Sequence, residues 1–359
     1  MKPFVYEALP QRVVFGPGRR VEIAAEVDRL GVTRVFQITD GAATAIGDEL
    51  AALLGDRVAQ RWGEAIQHVP EDLAARARAA ATECEADAVI TIGGGSSTGL
   101  GKAIAASHNL PIIAVPTTYA GSEQTMIYGV TGNRHKEVGK NPAVLPKTVI
   151  YDPELTLGLP TFVTGPSAFN ALAHSVEALY APGCNPVTSA LALDGVRAIH
   201  RSLPTVMASP TNLEARGDLL YGAYLSGMAL GATAAAFHHK ICHVLGGAFN
   251  LVHADAHSVI LPHAIAFNAP ALPAEMARLA EALGVSGGDP AAALWDLAVA
   301  SQVPTTLSAL GLRRENLAEA AHRAFTDIPA DNPRPFTEAD LLGLLTGAFD
   351  GTRPAGSHG

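Results

Sequence analysis

Histidines are concentrated between residues 237 and 263, where six of the 13 in the chain occur. His239 and His243 are four residues apart, so they share one face if this segment is helical. His253 follows ten residues later, after Gly246-Gly247, where the chain can turn back towards the same point. Imidazoles that converge in this way can bind a metal ion, transfer protons, or do both.

A second pair of polar residues also has the spacing of a helical face. Asn170 and His174 are four residues apart within residues 167–180, which have a helical pattern. Together with His239 and His253 they would form a cluster of one amide and three imidazoles. A single buried histidine is usually structural, and an Asn oxygen is a neutral, weaker ligand than the carboxylate typical of a divalent metal site. The residues alone therefore leave both a metal site and a hydrogen-bonding cluster open.

A glycine-rich turn follows an apolar run at residues 88–92. Residues 93–97 read GGGSS and precede a helical pattern at residues 99–107. Glycines let the backbone approach a phosphate closely, and the N-terminus of the following helix offers free N–H groups and a positive dipole. The turn differs from the G-x-G-x-x-G fingerprint of the first strand–helix turn. It indicates a phosphate site, with a tight turn that binds nothing as the alternative, and Lys102 faces either the phosphates or solvent.

Two further loops end apolar runs in the same part of the chain. Residues 117–122, TTYAGS, either line a cofactor or form an ordinary loop. Asp40 either accepts a hydrogen bond from an adenosine ribose 2′-OH, which would favour NADH over NADPH, or caps the following helix. The predicted cofactor-binding residues are Asp40, Gly93, Gly94, Gly95, Ser96, Ser97, Lys102, Thr117, Thr118, Ala120, Ser122 and Lys136.

Patterns typical of strands and of helices alternate over the first part of the chain. The strand patterns lie at residues 11–15, 34–39, 57–62, 88–92 and 111–115, separated by helical patterns at 21–30, 46–54, 71–84 and 99–107. This alternation predicts a mostly parallel sheet covered on both faces, in an α/β dinucleotide-binding domain of residues 1–157. Residues 125–136 and 147–151 are interpreted as irregular or hairpin strands that close this domain.

The remaining sequence, residues 158–359, contains helical patterns and no convincing strand. The predicted helices are 167–180, 186–209, 212–236, 240–247, 254–266, 273–283, 290–300, 314–325 and 337–349, with Pro and Gly at most of their ends. The predicted fold class is therefore an α/β N-terminal domain with a mostly parallel sheet, followed by an all-helical C-terminal domain that carries the histidines.

Composition argues against several classes of protein. The 359 residues carry a net charge of −9 and no basic run, which argues against a nucleic-acid surface. The apolar stretches are interrupted, and the N-terminus lacks the pattern of a signal peptide. Three scattered cysteines provide no disulfide framework. We therefore expect a cytoplasmic protein with neither nucleic-acid nor membrane partners.

In their order and spacing, these motifs resemble the iron-containing alcohol dehydrogenase family, whose fold is similar to that of dehydroquinate synthase. The segments that carry the resemblance are GGGSSTGLGKAIA, PTTYAGSE, HHKICHVLGG and DNPRPFT. The resemblance implies NAD(P) binding through the loops that begin at Gly93 and Thr117. It also implies a homodimer.

The same resemblance assigns roles to the cluster of histidines. The family's metal ligands come from an Asp-x-x-x-His pair and two later histidines, and the matching positions are Asn170, His174, His239 and His253. Because Asn170 replaces the carboxylate, we expect a degenerate site without an obligatory metal. His243 matches a histidine that lies beside the metal in the family and acts on the substrate.

Within the family, the motifs are most similar to the branch that uses NADH or NADPH to reduce the C=C bond of maleylacetate to 3-oxoadipate, in the degradation of aromatic compounds. Conjugate hydride addition spreads negative charge into an enolate, which cationic donors can stabilise. His243 is the expected general acid. The other expected catalytic residues are His174, His239 and His253. The expected substrate-binding residues are Asn170, His174, His239, Lys240, His243 and His253, with Lys136, Lys140 and Arg334 as further cations for a dianionic substrate.

Three alternative functions remain open at this point. The first is a metal-dependent (Fe or Zn) NAD-linked alcohol or polyol dehydrogenase of the same family. The others are a relative of dehydroquinate synthase and a non-catalytic nucleotide-binding protein. Beside the cluster, His238 is expected to point away from it, and Cys242 is expected to be a small core residue rather than a reactive thiol.

Overall fold

The computed structural model describes residues 3–132 and 135–355, without the side chains at positions 135 and 136. The chain forms two compact units. The sheet unit comprises residues 8–159 and 211–220, and the described part of the helical unit comprises residues 3–7, 160–210 and 221–355. The sequence predicted one division of the chain, between residues 157 and 158, whereas residues 3–7 belong to the helical unit and residues 211–220 to the sheet unit.

Six parallel strands form the main sheet of the sheet unit. They are β1 (Arg12–Phe15), β2 (Val35–Thr39), β3 (Val58–Trp62), β4 (Ala88–Gly93), β5 (Ile112–Pro116) and β8 (Thr148–Tyr151), in the order β1-β8-β5-β4-β2-β3. Strands β6 (Ile127–Gly132) and β7 (His135–Lys140) form a separate antiparallel hairpin. The parallel α/β fold is confirmed. The interpretation of residues 147–151 as a closing hairpin strand is wrong, because β8 pairs in parallel with both β1 and β5.

Helices cover both faces of this sheet. Helices α1 (Ile23–Leu30) and α2 (Thr44–Leu54) pack on one face, and α3 (Glu71–Glu83) and α4 (Gly95–His108) pack on the other. The chain therefore leaves β2 towards one face and leaves its neighbour β4 towards the other. The crevice outside the carboxyl ends of two such strands is the usual ligand position in an open α/β sheet.

The regular elements that the structure describes in the helical unit are all helices. They are α5 (Thr161–Ala178), α6 (Pro186–Ala208), α7 (Leu213–Ala232, whose first turns belong to the sheet unit), α8 (Phe237–Phe249), α9 (His253–Asn268), α10 (Pro273–Ala282), α11 (Pro290–Ala300), α12 (Leu317–Asp327) and α13 (Glu338–Asp350). Apolar side chains of α8, α9, α12 and α13 form one continuous core. Helix α5 is almost completely buried and packs against α6 and α9, so its polar residues lie inside the unit.

Within residues 3–132 and 135–355, no single helix combines the length and apolarity needed to cross a membrane. The successive helices α7 and α8 reach that length and composition only as a pair, and they are bent by 99° where they meet.

Candidate functional site

Three loops singled out by the sequence lie at the carboxyl ends of neighbouring strands. Asp40 follows β2, Gly93 ends β4 and Thr117 follows β5, and these three strands are adjacent. The Thr117 N–H donates to the Gly93 carbonyl at 3.0 Å, which ties two of the loops together. The predicted cofactor-binding loops therefore meet at the edge of the sheet where ligands bind in this class of fold.

Asp40 connects two of these loops through both of its carboxylate oxygens. Oδ1 accepts from the Ala43 N–H at 3.0 Å, so the predicted alternative of a helix cap is confirmed. Oδ2 accepts from the Gly94 N–H at 3.1 Å and from the Ser97 hydroxyl at 3.2 Å. The carboxylate thus lies against the glycine-rich turn and ties it to the loop that follows β2.

Two positions of this turn are glycine because neighbouring atoms leave no room for a side chain. Gly93 has φ +135°, and a Cβ there would lie 2.2 Å from Asp40 Oδ2 and 2.6 Å from Ser97 Oγ. A Cβ on Gly94 would lie 3.1 Å from Thr118 Cγ2. Helix α4 begins directly after Gly94 without a side-chain cap, so its first N–H groups form an anion-binding position. This backbone cradle fits the phosphates of a dinucleotide.

Lys102 does not have the role predicted for it. Its ammonium is fully buried and donates to the carbonyls of Ser122 at 2.6 Å, Thr125 at 2.8 Å and Ile127 at 2.8 Å, and to the Thr125 hydroxyl at 3.0 Å. Both expected positions, facing the phosphates or facing solvent, are therefore wrong. Lys102 instead satisfies carbonyls of the loop that contains Ser122, which would otherwise be buried without donors.

The other predicted cofactor residues lie on the same loops or outside the described side chains. Ser96 is half-buried on the first turn of α4, and Ala120 is half-buried, where a Cβ on Gly95 would approach its methyl group to 3.5 Å. Lys136 lies on β7, but its side chain is outside the described residues. Contacts of these residues with a cofactor stay predictions.

Six imidazoles form a continuous cluster inside the helical unit. Ring centroids are 5.1 Å apart for His174 and His239, 4.7 Å for His239 and His257, 4.3 Å for His257 and His253, and 6.0 Å for His253 and His243. The rings come from α5, α8 and α9. The structure therefore brings together the four histidines predicted to be catalytic, and it adds two that were not predicted, His257 and His238.

The two additional histidines are hydrogen-bonded in a chain. His238 Nε2 lies 2.7 Å from His257 Nδ1, and His257 Nε2 lies 3.1 Å from His253 Nε2. Since both nitrogens of His257 are bonded, one donates and the other accepts when the ring is neutral. The expectation that His238 points away from the cluster is wrong, because most faces of α8 are buried against other helices. Cys242 is fully buried beside His238, as expected of a core residue, and burial raises the pKa of its thiol.

One charged residue of this site was missed in the sequence. Glu177 on α5 is buried, and its Oε2 lies 2.5 Å from His239 Nδ1. It is three residues after His174, so the H-x-x-E spacing places both on one helical face and could have revealed it. The cluster therefore contains a carboxylate after all, bonded to an imidazole.

Burial favours the neutral form of three of the six imidazoles. The pKa values of His174, His238 and His257 lie well below 6.5, chiefly because burial disfavours the charged imidazole and secondarily because of positive charge on neighbouring histidines. His243 and His253 are half-buried. A proton donor that exchanges with solvent is therefore best sought at these two outer positions.

His263 lies apart from the cluster and predicts a pH dependence of stability. It packs edge-on against Trp295 with centroids 5.7 Å apart, and burial lowers its pKa from 6.5 to about 4. Between these values the unfolded chain binds a proton that the folded chain does not, so stability falls as pH falls from 6.5 towards 4. Urea unfolding should show about 2 kcal/mol less stability from this group at about pH 5 than at pH 7.5.

The control for this prediction is a second pair of titrations. The loss of stability on going from pH 7.5 to about pH 5 should shrink in His263→Gln. It should persist in His322→Gln, which removes an exposed imidazole bonded to Glu338. Equal pH dependence in His263→Gln and the unmodified protein would contradict the assignment.

The cations predicted for a dianionic substrate are dispersed. Lys240 is half-buried on α8, next to His239. The guanidinium of Arg334 stacks 4.2 Å from the Phe267 ring and donates to the Phe267 carbonyl at 2.8 Å, which gives it a structural role. Lys140 lies exposed on β7 in the sheet unit.

Comparison with known proteins identifies the family. Iron-containing alcohol dehydrogenase matches residues 10–153, and the C-terminal domain of the Fe-containing alcohol dehydrogenase family matches residues 164–349. The chain belongs to the iron-containing alcohol dehydrogenase family. It is 48% identical to the maleylacetate reductase of Burkholderia cepacia, with 99% of this chain and 100% of that protein covered, and 46% identical to that of Sphingobium indicum, with 98% and 99% covered. The crystal structure of maleylacetate reductase from Rhizobium sp. strain MTP-10005 has a TM-score of 0.93 at 43% identity, with 99% of this chain and 100% of that chain covered.

For a member of the iron-containing alcohol dehydrogenase family, the donors at the expected metal position fit a divalent ion poorly. Asn170 contributes an amide where the resemblance implies a carboxylate, and the nearby carboxylate of Glu177 is occupied by hydrogen bonds. His253 Nε2 lies 3.1 Å from a nitrogen of His257. His238, His257 and His253 are therefore hydrogen-bonded in a chain, whereas His174 Nδ1 and His239 Nε2 have no hydrogen-bond partner among the described residues.

Proposed function

We propose that this protein is an NAD(P)H-dependent reductase that converts maleylacetate to 3-oxoadipate by reducing its C=C bond. The observation that carries the proposal is the full-length identity, 48% and 46%, to two maleylacetate reductases. The imidazole cluster supports it, because reduction of an enone requires a proton donor and a stabilised enolate rather than a strong Lewis acid. The pathway context is the degradation of aromatic compounds.

Some residues of the cluster stabilise charge in the reaction, and another transfers a proton. When bound, the reduced nicotinamide supplies a hydride, which adds to C2 of the substrate, the carbon β to the C4 ketone. Negative charge then develops on the C4 oxygen, where His239 and His253 hold it by hydrogen bonds. His243 donates a proton to C3 and is reprotonated from solvent, which completes a balanced two-electron reduction. Asn170 and His174 hold the substrate carboxylates, with Lys240 as the nearest cation along α8.

Dinucleotide binding is assigned to the glycine-rich turn and its neighbours. Gly93, Gly94 and the first turn of α4 bind the phosphates, with Thr118 against the turn. Asp40 follows β2, and a carboxylate at the end of such a strand is suited to accept from the ribose 2′-OH and to disfavour a 2′-phosphate, which supports NADH as the preferred reductant. A cytoplasmic homodimer is part of the proposal on the strength of the resemblance alone.

Activity of the purified protein should not depend on a divalent metal. NADH oxidation with maleylacetate should continue at the same rate after dialysis against a chelator, because Asn170 removes the anionic ligand that would hold the ion. The matched control is the same dialysis of a family member that has Asp at this position, which should lose activity. A strict requirement for added Fe²⁺ or Zn²⁺ would sink the metal-free proposal.

The alternative function is a metal-dependent alcohol or polyol dehydrogenase. One feature favours it. His174 Nδ1 and His239 Nε2 are buried, and neither has a hydrogen-bond partner among the described residues, as is typical of nitrogens that bind a ligand or metal. Metal content after dialysis, and NAD-linked oxidation of short alcohols, would separate the two functions.

A further inference from the structure

We propose that Glu177 is a positioning residue for the reduction: it holds the imidazole of His239 so that Nδ1 faces the carboxylate and Nε2 faces the substrate. This inference rests on the proposed function for its kinetic consequences. Its structural content, which nitrogen of His239 is bonded to what, can be tested without any substrate.

The carboxylate of Glu177 is fixed at the start of α8. Its Oε1 accepts from the His238 N–H at 2.7 Å and the His239 N–H at 3.4 Å, and its Oε2 accepts from the Ala236 N–H at 2.9 Å. These are backbone groups of the helix N-terminus, where a negative charge is stabilised by the helix dipole. The carboxylate is therefore held in one orientation by backbone donors where it meets His239.

This arrangement determines the tautomer of His239. A carboxylate that already accepts three N–H groups can only accept from the imidazole, so His239 Nδ1 carries a hydrogen and donates across the 2.5 Å separation. The same logic fixes histidines at metal sites, where a carboxylate holds one nitrogen and leaves the other for the ligand.

The opposite nitrogen of His239 is the part of the ring that a ligand would meet. His239 is 3% exposed, and its Nε2 is buried with no hydrogen-bond partner among the described residues. The ring is stacked on His174 at an interplanar angle of 16°, and His257 packs edge-on against it at 4.7 Å. Since a buried polar nitrogen is costly when unsatisfied, the clamped ring is built to bond something at Nε2.

The charge of Glu177 also suits the reaction. The negative charge that develops on the substrate oxygen needs a donor, and an imidazole that carries a second proton at Nε2 provides one. The carboxylate at Nδ1 balances that proton inside the protein, where an isolated charge would be costly. In this way a Glu–His pair supplies the charge stabilisation that a metal ion provides elsewhere in chemistry of this type.

Glu177→Gln tests the proposal because it preserves size and removes the charge. The Gln amide nitrogen cannot face the two backbone N–H groups at Oε1, so it lies on the side of Ala236 and His239. There the bond from the Ala236 N–H is lost, Nδ1 of His239 must become the acceptor, and the hydrogen must move to Nε2. We expect kcat to fall about 10–100-fold, the usual effect of losing an outer partner of a site histidine, with the KM for NADH unchanged. The ¹⁵N shifts of His239 should show a protonated Nδ1 in the unmodified protein and an unprotonated Nδ1 in the variant.

Two further variants separate positioning from helix capping. Asn185→Ala removes a cap that accepts from the Val187 and Thr188 N–H groups at the start of α6, without touching an imidazole. It should lower the melting temperature and leave kcat unchanged. Glu177→Asp keeps the charge, so it should retain the protonated Nδ1 and an intermediate kcat, and it replaces the Gln variant if that variant does not fold.

The outcomes distinguish the two proposals. An unchanged kcat in Glu177→Gln, or an unprotonated Nδ1 in the unmodified protein or in Glu177→Asp, overturns the positioning role. Absence of maleylacetate reduction by the unmodified protein, with the expected ¹⁵N shifts, overturns the proposed function and leaves the Glu177–His239 assignment standing.

Discussion

Replacement of His243 with Ala is expected to lower kcat for maleylacetate reduction about 10²–10⁴-fold, the usual contribution of a positioned general acid. His243 is half-buried on α8, whereas burial keeps His174, His238 and His257 neutral near pH 7. Its ring stacks 6.0 Å from that of His253 at an interplanar angle of 15°. It is thus joined to the cluster at a position that can regain a proton from solvent. Steady-state kinetics with NADH at saturation measures the loss.

The control for His243→Ala must remove an imidazole without touching the cluster. His322→Ala does so, since the imidazole of this exposed histidine on α12 bonds Glu338 and no member of the cluster. Its kcat should match that of the unmodified protein. Added imidazole should restore part of the lost rate in His243→Ala, because a small acid can enter the space left by the side chain. If kcat in His243→Ala is unchanged, the acid is another histidine, and His253 is the next one to replace.

The nucleotide-binding end of the fold was predictable because its signals are local. Each relevant strand is an apolar run followed directly by turn residues, and parallel strands bring their carboxyl ends to one edge. Asp40, Gly93 and Thr117 therefore meet as expected. Strand β8 was misinterpreted because its four residues follow a hairpin rather than a helix, and nothing local indicates that it inserts between β1 and β5.

The histidine cluster was only partly predictable because its decisive contacts are distant in sequence. The helix that carries His239 was predicted to begin at residue 240 and begins at Phe237, since its first N–H groups bond Glu177, about sixty residues earlier. The role predicted for Lys102 was wrong for the same reason. A lysine after a glycine-rich turn suggests phosphate binding, but the carbonyls that accept from Lys102 lie on a later loop. Two signals were available, the four-residue spacing of His253 and His257 and the H-x-x-E pair that includes Glu177.

Replacement of Gly93 with Ala is expected to weaken NADH binding about 100-fold. The residue has φ +135°, which side chains rarely adopt, and the new methyl group would lie 2.2 Å from Asp40 Oδ2 and 2.6 Å from Ser97 Oγ. Relief of this contact requires the turn or the carboxylate to move, and strain and overpacking of this kind each cost about 1–3 kcal/mol. If roughly 2.7 kcal/mol of this cost is lost from the free energy of NADH binding, the Kd for NADH rises about 100-fold. A fluorescence titration measures this change.

The same substitution at Gly63 is the matched control, because a Cβ there meets no atom within 4 Å and Gly63 has no positive φ. Gly63→Ala lies in the same sheet unit and should bind NADH normally. If Gly93→Ala also binds NADH normally while remaining folded, the turn does not hold the phosphates. Its glycines would then serve only to let Asp40 reach the Gly94 N–H and the Ser97 hydroxyl.

A double variant, Gly93→Ala with Asp40→Ala, decides between these roles, since removal of the carboxylate makes room for the methyl group. Partial recovery of NADH affinity would show that the clash with Asp40 displaces the phosphate-binding backbone.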